Sequence, residues 1–175
     1  MQKYFSFLCA LPLLLLSLQT VHAQEKITPT DHIEIVGLVE NNLDIQIADL
    51  EKYNSQTLPD LVITSHKGDY RKELTQLKGI LLIDLLKEVV IKADSPKILS
   101  EYYLIFEASD GYKVVYSWNE LFNSPTGSHV FLITHKSGTD ITKMEDRLLV
   151  VNTNDIQTGR RHIKSLSKIT VKRVD

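Results

Sequence analysis

YYLIFEASDGYKVVYSWNELF, running from Tyr102 to Phe122, carries the pattern that decides the fold. Tyr102 to Ala108 is rich in aromatic and β-branched residues, which suits a strand. Ser109-Asp110-Gly111-Tyr112 supplies a hairpin turn, and Lys113 to Tyr116 returns as the second strand. Ser117-Trp118-Asn119-Glu120 then has the Ser-x-x-Glu spacing of a capping box, which starts a short helix through Phe122.

Short strands continue outward in both directions. Upstream, His32 to Val39 alternates apolar and polar residues, Asn41-Asn42 marks a turn, and Leu43, Ile45 and Ile47 alternate again, predicting a second hairpin. Ala48 to Tyr53 reads as a short helix. Leu61 to Ser65 reads as a strand broken by Lys67-Gly68-Asp69. The longest apolar stretch of this region, Ile80 to Ile91, spaces Asp84, Lys87 and Glu88 three to four apart, which predicts a helix with most of its surface buried. Downstream, Val130 to Thr134, Leu148 to Val151 and Ile169 to Val174 read as strands, with a turn at Lys136-Ser137-Gly138. No internal repeat or linker divides the chain. The expectation is one α+β domain with short helices, spanning residues 24–175.

Composition removes several classes. The chain has 175 residues, 20 Lys plus Arg against 22 Asp plus Glu, a net charge of −2 and one cysteine. One cysteine supports neither an internal disulfide nor a cysteine-rich zinc site. The balanced charge gives no whole-chain attraction to nucleic acid or to an anionic membrane. At the N-terminus, Lys3 precedes an apolar run from Tyr4 to Val21, and Val21-His22-Ala23 offers small or short residues for cleavage. That is the pattern of a secretory signal peptide, residues 1–23, cleaved after Ala23. It predicts a periplasmic or secreted protein with no membrane anchor after cleavage. Cys9 lies inside the leader, so the mature chain has no thiol.

Motifs of known chemistry are scarce. His32, His66, His129, His135 and His162 form no i, i+4 metal pair, and no Gly-x-Ser-x-Gly, Gly-x-Gly-x-x-Gly or Walker loop is present. No metal ligand and no catalytic residue is assigned. One segment stands out: Gly159-Arg160-Arg161-His162-Ile163-Lys164 places three full charges and a histidine within five residues, after a glycine that permits close backbone approach. Such a segment suits a phosphate, although composition alone favours a solvated turn before the last strand.

Several segments, taken in order, resemble the oxidoreductase molybdopterin-binding domain, the fold of the sulfite oxidase family. Ile35 to Leu43 is similar to its opening hairpin, and Lys78-Gly79-Ile80-Leu81-Leu82-Ile83-Asp84-Leu85-Leu86 to its "G-V-x-L-x-D-L-L" segment. Ala108-Ser109-Asp110-Gly111-Tyr112 is similar to its "A-x-D-G-Y" hairpin. Arg147 to Val151 and Gly159 to Leu166 resemble its "R-L-V-V-P … G-x-K-x-V-K-x-L" close. The resemblance implies a mixed-sheet domain of that type and a pterin cofactor, molybdopterin, whose phosphate or metal-bound oxyanion meets the C-terminal basic segment at Arg161 and Lys164. It also places Ser65 and His66 near the mouth of the pocket. Cofactor-binding candidates are therefore Ser65, His66, Gly159, Arg160, Arg161 and Lys164.

One departure decides the functional expectation. The family holds its metal through a cysteine thiolate after the third strand, and this chain has Ser65 at or next to that position. A serine hydroxyl is a hard donor that stays protonated unless a metal acidifies it. Asn152 also replaces the family's proline after Val151. Three readings follow. The first is an exported, non-catalytic binding or accessory protein for a pterin-type cofactor or small anion. The second is a molybdopterin-dependent oxidoreductase with Ser65, or no protein ligand, on the metal. The third is an interaction module whose pocket has collapsed.

Overall fold

The computed structural model describes residues 27–175; the expected leader, its exit at Ala23 and Cys9 lie outside them. The described strands are β1 (His32–Gly37), β2 (Leu43–Gln46), β3 (Ser55–Thr57), β4 (Leu61–Thr64), β5 (Tyr70–Leu74), β6 (Lys78–Leu81), β7 (Tyr102–Ala108), β8 (Lys113–Ser117), β9 (Val130–Lys136), β10 (Thr139–Asp140), β11 (Val150–Asn152) and β12 (Leu166–Arg173). Between them lie two five-residue helices, α1 (Leu82–Leu86) and α2 (Trp118–Phe122), and several 3-10 turns. The fold is mostly β, so the expected α+β balance is corrected toward strands.

The strands divide among three sheets. One has the order β2-β1-β12-β7-β8, with β1 and β12 parallel and the rest antiparallel. The second runs β10-β9-β6-β3, with β11 also paired to β9. The third is the β4–β5 hairpin. The Tyr102–Phe122 stretch forms as expected. Tyr103 pairs Ser117 and Glu107 pairs Lys113, and in α2 Ser117 Oγ accepts from Glu120 N at 3.1 Å while Glu120 Oε2 accepts from Ser117 N at 2.8 Å.

β9 explains how the layers stack. Val130 and Leu132 enter one apolar cluster, shared with Ile33, Phe106 and Ile169 of the first sheet. Phe131 and Ile133 enter a second cluster with Leu61, Ile63 and Leu74 of the β4–β5 hairpin. Side chains alternate along a strand, so the unbroken apolar run Val130-Phe131-Leu132-Ile133 marks a strand covered on both faces. β9 is thus the middle layer, with the first sheet on one side and the small hairpin on the other.

The predicted helix over Ile80–Ile91 is corrected. Ile80 and Leu81 belong to β6, between β3 and β9, and the helix is confined to Leu82–Leu86. A short apolar run does not reveal its period, and sheet pairing wins here. Gly79 makes that pairing close, since a Cβ there would lie 3.0 Å from Leu132 O. The polar face read from the spacing survives locally, with Lys87 Nζ 2.8 Å from Asp84 Oδ1. β3, β5 and β10 carry polar sequences that gave no strand signal. The helix expected at Ala48–Tyr53 is a 3-10 turn over Ile47–Lys52.

Candidate functional site

The site begins where β4 ends. Ser65 closes the β4–β5 turn, and its backbone N–H donates to Asp69 O at 2.7 Å. Its hydroxyl donates to Asp69 Oδ2 at 3.1 Å and accepts from Lys67 N at 3.1 Å and Asp69 N at 3.2 Å. A hydroxyl has one proton and two lone pairs, so all of its capacity is spent within the turn. Ser65 is buried, whereas His66 beside it is exposed.

A second segment is fastened across this strand end. Thr158 Oγ1 donates to Val62 O at 2.7 Å and accepts from Thr64 N at 3.0 Å, standing in for a neighbouring strand at the edge of β4. Gly159 follows, in a 3-10 turn over Thr158–Arg161. A Cβ at Gly159 would lie 1.9 Å from Thr64 O, so only glycine permits this approach. Arg160 then crosses to the turn, its Nη2 donating to His66 O at 3.1 Å and its Nε to Gln157 Oε1 at 2.7 Å. The Tyr112 hydroxyl donates to Arg160 O at 2.6 Å, joining the β7–β8 hairpin to the same rim.

These contacts enclose a polar basin made of adjoining cavities of about 530 and 570 Å³ that share Lys72 and Lys164. Ser65, His66, Gly159, Arg160 and Lys164 line the first of these, so five of the six candidates meet at one place. Arg161 does not line it. Its guanidinium points the other way, donating from Nε to Asp155 Oδ2 at 2.8 Å, from Nη2 to Asp155 Oδ1, and from Nη1 to Glu120 Oε1 at 3.1 Å. It also stacks over the Tyr116 ring at 4.6 Å. Two carboxylates and a ring engage this cation, and they hold its pKa above the usual arginine value, with the Asp155 hydrogen bonds the largest cause.

The basin gathers cations that the sequence did not place together. Arg71 and Lys72 arrive on β5, Lys136 at the end of β9 and Lys143 from beyond it. Lys136 is paired with Asp146. Among the described residues, Arg71, Lys72, Lys143 and Lys164 have no ion-pair partner, and Arg160 spends its donors on neutral oxygens. Glu145 and Asp146 line the second cavity, and Asp110 stands at the edge beside Tyr112 and Lys164. Burial, followed by the charges of Lys164 and Lys136, lowers the Lys72 pKa. Arg71-Lys72 was the missed signal, a basic pair shortly after the turn that held the first candidates.

His162 sits half-buried among these cations, its Nε2 shielded and without a hydrogen-bond partner among the described residues. Burial first, then Lys72 and Lys164, pushes its pKa down to about 3. The unfolded chain takes up this proton near pH 6.5, so the contribution to stability is whole above that pH and is lost as pH falls toward about 3. Stability should fall by up to about 1.4 kcal/mol per pH unit across that window. Urea unfolding of the parent and of His162→Gln at several pH values checks this, with the variant expected to show the shallower slope. Equal slopes would remove His162 as the cause.

No family model and no curated protein matches the chain. Among solved structures, it is similar in fold to the sulfane dehydrogenase SoxCD from Paracoccus pantotrophus, with a TM-score of 0.56 and 16% sequence identity. The match covers 82% of this chain and 39% of that one, so the chain spans well under half of the protein it resembles. At this identity the likeness shows a related fold. Among the described residues, no helix is long and apolar enough to cross a membrane, and no group of three or more His, Cys, Asp or Glu could hold a metal ion.

Proposed function

We propose that the protein is a non-catalytic anion-binding or accessory protein on a sulfite-oxidase-like fold, exported after removal of residues 1–23. It takes a small anion or the phosphate end of a pterin-type ligand into the basin. The carrying observation is the convergence of Lys72 and Lys164, unpaired among the described residues, around His162, whose Nε2 has no partner among them. A cation such as Lys72, whose charge is disfavoured by burial and by its cationic neighbours, is stabilised by an anion that enters beside it. Lys164 and Lys72 are the charged contacts, Arg160 lends its charge from the rim, and Gly159 lets the segment approach the strand end.

The two ends of a molybdopterin fit this chain differently. The phosphate end suits the cations of the basin. The metal end does not, because no thiolate is available among the described residues and the Ser65 hydroxyl is fully used by Asp69 and Lys67. That disagreement supports binding without oxo transfer, and no redox step is assigned to the chain.

Titration calorimetry with inorganic phosphate and pyrophosphate tests the reading. Lys164→Ala is expected to weaken binding about tenfold, the usual worth of one charge-assisted contact, and Arg160→Ala by less. Binding should also weaken as salt rises. Unchanged affinity in Lys164→Ala would overturn the site. Stoichiometric molybdenum in protein purified from its native host would overturn the non-catalytic reading.

A further inference from the structure

A cavity of about 710 Å³ lies apart from the basin, on the far side of the Thr139–Lys143 segment. Its floor is apolar, formed by the buried Leu50 and Ile141 with Ile47 and the ring of Tyr53. Tyr53 turns its hydroxyl away to Glu88 Oε1, at 2.7 Å, and so presents carbon to the cavity.

One wall carries an ordered row of polar groups. His135 Nε2 lies 3.4 Å from Asp140 Oδ2, His135 Nδ1 lies 3.4 Å from Thr134 Oγ1, and Thr134 Oγ1 lies 2.9 Å from Ser55 Oγ. Thr142 donates to Asp140 Oδ1 from both its N–H and its hydroxyl, which keeps this carboxyl below its usual pKa and so an acceptor. The carboxylate therefore takes the proton on His135 Nε2. His135 Nδ1 and the Thr134 and Ser55 hydroxyls can each donate or accept along this row. Whichever hydroxyl donates, the exposed Ser55 keeps at least one lone pair for an incoming donor. Nearby Glu51 adds a carboxylate with no partner among the described residues, while Arg147 gives Nη1 to Asp31 and has an Nε without a partner among them.

We propose that this cavity binds a small organic ammonium with an apolar body, the body on Leu50 and Ile141 and the N–H donors toward Ser55 and Glu51. A cavity with a hydrophobic floor and few convergent polar groups is the usual form of a small-ligand site. Here three carboxylates, Asp31, Glu51 and Asp140, line the cavity against one guanidinium, Arg147, so the class selected is a cation. A carboxylate of the same shape adds a fourth anion there, with Arg147, already paired with Asp31, as the one guanidinium in the lining. The site is independent of the anion basin.

Benzylamine, benzyl alcohol and benzoate share one shape and differ in head group, so they isolate this selection. Saturation-transfer NMR with titration at about pH 8, where an alkylammonium is charged and free imidazole is neutral, should rank benzylamine above benzyl alcohol and show no benzoate binding. Glu51→Gln and Ser55→Ala, both at exposed side chains, should each weaken benzylamine about three- to tenfold without changing the melting temperature. Lys164→Ala should leave the benzylamine titration unchanged. Binding of benzoate as tight as that of the amine would overturn the proposal. So would an absence of benzylamine binding, or an affinity that ignores both Glu51→Gln and Ser55→Ala.

Discussion

Gly159→Ala is expected to abolish phosphate binding and to destabilise the fold by about 3 kcal/mol. The added Cβ would lie 1.9 Å from Thr64 O, and the obstacle is backbone at a strand end, which cannot swing aside as a side chain would. Relief requires the Thr158–Arg161 turn to lift from β4. That movement breaks the two Thr158 hydrogen bonds, at 2.7 and 3.0 Å, and draws Arg160 away from His66 O. Two lost hydrogen bonds at about 1 kcal/mol each, with about 1 kcal/mol of residual overpacking strain once the turn has lifted, give the figure. For a domain of this size it corresponds to roughly 6–12 °C in melting temperature. Gly68→Ala is the control, since a Cβ at that position meets nothing within 4 Å. Its cost is conformational, because φ is +93°, and phosphate binding should persist. Thr158→Val separates sterics from hydrogen bonding, as it keeps the shape and removes both bonds. Thermal denaturation with phosphate titration reads all three variants. A Gly159→Ala protein that melts and binds like the parent would mean that the turn does not rest on the strand end.

This close approach also marks where legibility in the sequence stops. Strand periodicity and turn chemistry are local, so the β1–β2 and β7–β8 hairpins and the capping box at Ser117 were readable from adjacent residues. The partition of Ile80–Ile91 was not, because the choice between β6 and a longer helix lies with its neighbours β3 and β9. β3 and β5 are polar strands at the margins, with no apolar alternation to betray them. At the site, the basic segment could be seen as a density of charge, but its sharing could not. Arg160 and Lys164 face the basin while Arg161, between them, is taken by Asp155 and Glu120. Asp155 lies six residues before Arg161, beyond a turn, and Glu120 had already been assigned to its cap. Its second oxygen does the unforeseen part, since Oε2 caps Ser117 N while Oε1 accepts from Arg161. Ser65 shows the converse. Its position by resemblance was informative, but only the turn geometry shows that its hydroxyl is spent.

That division within Gly159–Lys164 yields the other large expected effect. Arg161→Ala should cost about 3 kcal/mol of stability, whereas Lys164→Ala should cost almost none and lose phosphate affinity instead. The Asp155 side chain is only 11% exposed, so removing Arg161 strands a carboxylate with little water to replace its bidentate partner. The Tyr116 ring also loses the cation stacked on it. Asp155→Ala should be nearly as damaging, leaving a largely covered guanidinium with Glu120 as its remaining carboxylate. The double variant Asp155→Ala/Arg161→Ala should recover part of the loss, because it removes both charges together. Lys164 behaves differently because it faces Lys72, whose pKa it helps to lower. Its removal relieves repulsion in the folded chain, so the melting temperature without phosphate should hold or rise slightly, while the upward shift on adding phosphate shrinks. A double-mutant cycle by urea unfolding, repeated with and without phosphate, measures both quantities on the same proteins. If Arg161→Ala keeps its stability and loses phosphate binding, Arg161 faces the ligand and the Asp155 bridge is not what holds it.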